Sequence, residues 1–181
     1  MAATGQPCAG RALEVRLEVE QDAGAVRVVH EHAFGRPNEA RVVELLRAEA
    51  RPYLGLVAVE AGQVMGHIAF SPATLESDGA STAIMALGPM AVHPDRQRRG
   101  LGSALVREGL AACRRMGHAV VAVLGHPEFY PRFGFVPAAP LGVTCEYPAA
   151  EVAFMIAELT AGSLKGRRGT VYYDPAFRLA G

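Results

Sequence analysis

Lysine is nearly missing from this sequence: 17 of its 18 basic residues are arginine, and the other is Lys165. Any chemistry that needs a lysine must use that residue. A phosphate-binding P-loop, G-x-x-x-x-G-K-[ST], is excluded, because Lys165 is followed by Gly166. Cysteine is scarce as well. Cys8, Cys113 and Cys145 are too few and too scattered for a disulfide framework or a C-x-x-C metal site, and they read as reduced thiols. Neither sign of charge is in excess: 18 acidic residues balance the 18 basic ones. That balance argues against a general nucleic-acid or membrane-surface binder. No apolar run reaches the roughly 18 residues needed to span a bilayer. The first ten residues lack a basic start followed by an apolar core, so they do not form a secretory signal. Residues 1–12 read as a disordered leader, and the expected compartment is the cytoplasm.

What is present is a core. Half of the 181 residues are hydrophobic, enough for one folded domain, expected over 13–181. Leu13, Val15, Leu17 and Val19 alternate with charged residues, the period of a half-buried strand. Asp22 reads as the cap of a helix through Val26 and Val29 to Phe34-Gly35. A second helix follows Asn38, carrying Val42, Val43, Leu45 and Leu46 and stopped by Arg51-Pro52. Residues 54–60 and 64–70 read as a hairpin about Ala61-Gly62-Gln63. Pro72 to Ser81 is polar and reads as loop. Residues 83–92 form an apolar run interrupted by Gly88-Pro89; proline donates no ladder hydrogen bond, so a bulge or splay is expected there. A helix from about Leu101 to Met116 follows, with Leu101, Leu105, Ala112 and Met116 on its apolar face and Gly117 as its stop. Residues 119–124 read as a buried strand, His126–Tyr130 as a short helical turn, Phe133–Val136 as the start of another strand, and Val152–Leu159 as a further one. The order is β-αα-βββ-α-β-α-β-β, a mixed α/β fold without repeats or internal linkers.

The chemistry concentrates at Arg96-Gln97-Arg98-Arg99-Gly100-Leu101-Gly102, a glycine turn that opens a helix. Glycines let backbone approach a ligand, and the first N–H groups of a helix have no internal acceptors, so such a turn suits a phosphate. The arginines add charge to it; charge alone would equally describe a solvated turn. A dinucleotide-binding G-x-G-x-x-G/A does not fit, because Leu105 stands where the third small residue belongs and the strand ends too far upstream. His30-Glu31-His32 offers no metal site: histidines two apart diverge on a helix, and no third ligand is evident.

Gln97-Arg98-Arg99-Gly100-Leu101-Gly102 resembles the acetyl-CoA motif [QR]-x-x-G-x-[GA] of the GNAT superfamily of N-acetyltransferases. Its neighbours agree: Leu87 to Pro94 (LGPMAVHP) is similar to the family's fourth strand and the turn after it, and Tyr130-Pro131-Arg132-Phe133-Gly134-Phe135 to its Y-x-x-x-G-F signature. These segments, with Gly169 to Phe177 near the C-terminus, look most like the YhbS-like subgroup. The resemblance implies a twisted, mixed but mostly antiparallel sheet, flanked by helices and splayed between its fourth and fifth strands, with the pantetheine arm of acetyl-CoA between them. Backbone groups of Met90, Ala91 and Val92 would pair with that arm and polarise the thioester carbonyl. Gln97, Arg98, Arg99, Gly100, Leu101, Gly102 and Ser103 would complete the cofactor site around the pyrophosphate.

Tyr130 is the expected catalytic residue. Coenzyme A departs as a thiolate, whose free pKa is about 8.5 against about 10 for tyrosine. A phenol beside that sulfur can donate a hydrogen bond or a proton. Members of the family often carry a glutamate base on the fourth strand, and this sequence has no acid there. The remaining candidates are Glu128, His126, His67 and Glu31, with a water chain as another route. Expected from the resemblance is a metal-free transferase acting on a small-molecule or peptide amine, monomeric or homodimeric, with no nucleic-acid or membrane partner. A non-catalytic acyl-CoA-binding module is the alternative.

Overall fold

The computed structural model describes residues 13–147 and 152–179, so the leader expected over 1–12 lies outside the described residues. The strands are β1 (Leu13–Leu17), β2 (Leu54–Glu60), β3 (Gln63–Ser77), β4 (Ala80–Val92), β5 (Val120–Leu124), β6 (Val136–Pro137), β7 (Val143–Cys145), β8 (Phe154–Glu158) and β9 (Gly169–Tyr172). The helices are α1 (Ala23–Phe34), α2 (Asn38–Glu49) and α3 (Leu101–Arg115). The sheet runs β1-β2-β3-β4-β5-β8-β6, with β9 joining β3 and β7. Its pairings are antiparallel except β4 with β5 and β7 with β9. This is the mixed α/β architecture expected from the sequence.

Each face of the sheet is covered by helix. Leu101, Leu105, Val106 and Leu110 of α3 pack on Leu56, Ile68, Phe70, Met85 and Leu87, each such burial stabilising by about 1.5–3 kcal/mol. Gly109 lets α3 cross closely over Phe70, whose ring occupies the space a Cβ would need. On the other side Val26 and Val43 meet Val57 and Val59, while Val42, Leu46 and Ala50 meet Ala176 of the C-terminal 3-10 turn.

Several expectations are corrected. Pro72–Ser81 is strand rather than loop: β3 runs on to Ser77 and turns through Asp78 (φ 43°) and Gly79 (φ 82°) into β4. These paired positive φ angles make the two-residue turn that antiparallel strands favour. Ser71, Ala73 and Leu75 alternate inward, so this polar segment carries the period of a strand. Its outer edge is open at Pro72, between partners β2, ending at Phe70, and β9, starting at Thr74. Asp22 precedes α1 but does not cap it; its carboxylate accepts instead from Arg16 and from the Val19 N–H. Met116 lies outside the apolar face of α3 and is exposed, because the helix ends one residue earlier. The helical turn expected over His126–Tyr130 sits at Tyr130–Phe133 instead. In β1 the alternation is present, yet Leu13 and Leu17 remain exposed on this edge strand.

Candidate functional site

The interruption at Gly88-Pro89 shapes the centre of the molecule. β3 pairs Phe70 with Leu87 and Ile68 with Met90, so two residues of β4 oppose one of β3. β4 pairs with β5 only over Met85–Leu87, against Val121–Val123. Past the bulge, Met90, Ala91 and Val92 stay with β3, and among the described residues no strand pairs with their other edge. β5 meanwhile pairs with β8 along its far side. The expected splay is therefore present, and it leaves a row of backbone donors and acceptors open.

The glycine turn closes the wide end of this gap. The Gln97 side-chain amide donates to the Val92 carbonyl at 3.1 Å, tying the turn to the end of β4. Arg96 is anchored by Glu60 at 2.7 Å. Arg98 (φ 60°) and Gly100 (φ 90°) adopt left-handed conformations that reverse the chain into α3. Ala104 is the first residue whose N–H finds a helical acceptor, the Gly100 carbonyl at 2.9 Å. The N–H groups of Leu101, Gly102 and Ser103 thus lie free at the positive end of the helix. At Gly102 a Cβ would sit 3.6–3.8 Å from Phe129, Val92 and Met90, ordinary contact that explains why the motif admits glycine or alanine.

Both features border one cleft of about 1040 Å³. Met90, Ala91, Val92, Gln97, Arg98, Gly100, Gly102, Ser103 and Tyr130 all line it. Arg99 does not, and the Leu101 side chain is packed in the core at 2% exposure, which leaves only its backbone for a ligand. Gln97 spends its amide on Val92, so its evident work is to hold the turn.

Tyr130 is 5% exposed, its ring set edge-on to Phe129 and Phe135 at 5.1 and 5.5 Å. It lies over Gly125, where any Cβ would collide with it. Burial raises the phenol above its ordinary pKa, so the ring carries its proton at neutral pH. Of the four candidate bases, His126 and Glu128 border the cleft. Glu31 is paired with Arg27 on the outside of α1 at 2.9 Å. His67 is wholly buried.

The surroundings of His67 were not expected. Its Nε2 lies 3.2 Å from Glu18, whose carboxylate also accepts from the Tyr53 hydroxyl at 2.8 Å and from Arg47 Nε at 2.7 Å. Its Nδ1 lies 2.9 Å from His30 Nε2. Burial would raise the Glu18 carboxyl, but hydrogen bonds from His67 and Tyr53 and the nearby Arg47 hold it below the usual range. Burial and then His67 push His30 down to about 3, so that ring is neutral. His32, two residues on, faces outward and meets His93 at 3.0 Å, so the two histidines diverge as their spacing requires. Ala33 and Phe34 border the cleft from α1, although neither carries a chemical label in the sequence.

A family model described as an acetyltransferase (GNAT) domain matches residues 14–138. The chain is 37% identical to a protein named uncharacterized N-acetyltransferase YhbS of Escherichia coli K12, over 90% of this chain and 97% of that one. The crystal structure of E. coli YhbS in complex with CoA superposes with a TM-score of 0.87 at 33% identity, covering 96% of each chain. A GNAT family acetyltransferase from Brucella melitensis, in complex with acetyl-CoA, gives a TM-score of 0.75 at 36% identity, covering 92% of this chain and 99% of that one.

Proposed function

Since the chain belongs to the GNAT family of N-acetyltransferases, we propose that its cleft binds acetyl-CoA and passes the acetyl group directly to a primary amine. The observation that carries this reading is the convergence, in one cleft, of the free edge Met90–Val92, the open N-terminus of α3 and Tyr130. The pantetheine arm would take the place of a strand beside β4, its amides meeting the backbone of Met90 to Val92. The same edge would hydrogen-bond the thioester oxygen as the amine adds, in the manner of an oxyanion hole. The pyrophosphate would rest on the N–H groups of Leu101, Gly102 and Ser103, with Arg98 adding charge.

Tyr130 would assist departure of the sulfur. Because burial raises the phenol while a thiolate is the weaker base, full proton transfer is uphill and hydrogen-bond donation to the sulfur is favoured. The acceptor would enter past Ala33 and Phe34.

One observation favours a second reading, a binding module without turnover: β4 carries no carboxylate from Ala80 to Val92. A screen of amines for thiol release from acetyl-CoA separates the two. Release that depends on an amine supports the transferase, whereas acetyl-CoA binding without release for any amine supports the module. Among the described residues no helix is long and apolar enough to cross a membrane.

A further inference from the structure

Behind the free edge of β4, a carboxylate and two imidazoles stand in line. The arrangement has room made for it: at Gly55 a Cβ would collide with the Glu18 carboxylate. An ionised carboxylate only accepts hydrogen bonds, so His67 carries its proton on Nε2 and turns the Nδ1 lone pair to His30. His30 must then donate from Nε2, and its own Nδ1 is left as a bare acceptor. That nitrogen is buried and has no hydrogen-bond partner. Buried orphan acceptors are uncommon in folded proteins and mark strain, a bound water or chemistry.

The line stops just behind the cleft, which neither imidazole itself borders. His67 is the cross-strand partner of Ala91, which borders the cleft. The His30 ring stacks on Phe34 at 6.0 Å, and Phe34 borders the cleft with 43% of its surface exposed. A base held by a second group, itself held by a carboxylate, is the arrangement by which proteins aim a proton acceptor. Resting on the acetyl-transfer reading, we propose that His30 Nδ1 takes the proton of the attacking amine through water that enters beside Phe34. His67 and Glu18 are positioning residues that fix the tautomer of His30.

The step balances. The amine lone pair forms the bond to the thioester carbonyl carbon, and the carbon–sulfur electron pair leaves with sulfur. One N–H proton passes to the water as a water proton passes to His30 Nδ1. Glu18 balances the imidazolium from two hydrogen bonds away; Arg47, Tyr53 and the Arg16–Asp22 pair complete its charged and titratable surroundings. The proton then returns through solvent to the coenzyme A thiolate, so amine and thioester become amide and thiol.

The test is His30→Gln, which retains an amide N–H toward His67 and replaces the basic nitrogen with a non-basic amide oxygen. The expected result is a fall in kcat of about 10²-fold or more, with acetyl-CoA affinity unchanged by calorimetry. Glu18→Gln should lose rate as well, because an amide facing His67 reverses both tautomers. Imidazole added to His30→Ala should restore part of the rate, which a packing role would not allow. A folded His30→Gln variant within threefold of the wild-type kcat overturns the proposal while leaving acetyl transfer intact. If that variant does not fold, a folded Glu18→Gln variant with the wild-type rate overturns it equally. Wild-type protein that binds acetyl-CoA but acetylates no amine overturns both readings.

Discussion

The lining of the cleft and the buried layer behind it are made by opposite means. The lining on the α3 side comes from one continuous stretch, Met90 to Ser103, and it works through backbone: a free strand edge, open N–H groups and glycines that keep side chains away. The layer behind Ala91 gathers Glu18, His30, Arg47, Tyr53 and His67 from separated parts of the chain and works through buried side chains. A site of backbone is hurt by adding atoms and tolerates most exchanges of neighbouring side chains. A site of buried side chains is hurt by removing single atoms, because each partner left behind is unsatisfied.

The largest effect should come from adding bulk and charge to the backbone lining. Gly100→Asp or Gly102→Asp should abolish measurable acetyl-CoA binding and leave the fold largely intact, whereas Gly102→Ala, whose Cβ meets only ordinary contacts, should bind. Calorimetry showing unchanged affinity for a folded Asp variant would remove the phosphate-cradle assignment. Next is Tyr130→Phe, which deletes one hydroxyl and keeps the ring. A drop in kcat of about 10²–10⁴-fold is expected, with little change in acetyl-CoA affinity. A loss of only a few-fold, with chemistry shown to limit the rate, would make Tyr130 a packing residue.

The buried layer should reveal itself in acid. His30 and His67 are held below the ordinary histidine pKa, and Glu18 and Asp22 below the ordinary carboxylate range. All four bind protons more readily in the unfolded chain, so stability rises with pH over their titration range. It should be fully present above about pH 6.5 and be lost progressively toward pH 3, by about 4 kcal/mol or more in total. Urea unfolding at pH 7 and pH 4.5 measures this, and equal midpoints would contradict it. The smallest effect is expected at Arg98→Ala, where one solvated cation is lost but every backbone donor stays. Acetyl-CoA affinity should weaken roughly three- to tenfold and become less sensitive to salt. A hundredfold loss would mean that side chains rather than backbone carry the anion.

The same contrast decides what could be read from the sequence. The glycine turn and the break at Pro89 were legible because each is a local pattern whose conformation follows from nearby residues. Residues 72–81 read as loop because polarity hides the inward alternation of Ala73 and Leu75 and the Asp78-Gly79 turn between β3 and β4. The partnership of Glu18 with His67 could not be read at all, since nothing near either residue signals a contact across 49 positions. His67 drew notice as a candidate base, yet its burial and neighbours depend on how α1 lies on the sheet. Phe34 was invisible for another reason: its part in the cleft is a matter of place and not of chemistry.

The unzipped half of β4 has a thermodynamic consequence if acetyl-CoA fills it. Past Leu87 no strand among the described residues pairs with the far edge of β4, so the coenzyme would act as the missing strand and its binding would belong to the cooperativity of folding. By mass action, ligand at 100 times its dissociation constant stabilises the native state by about 2.7 kcal/mol. The protection so gained would not be spread evenly. Amide exchange at Met90 to Val92 and in the first turn of α3 would gain local protection besides, while the buried Met85–Leu87 pairing with β5 would slow only by the global stabilisation.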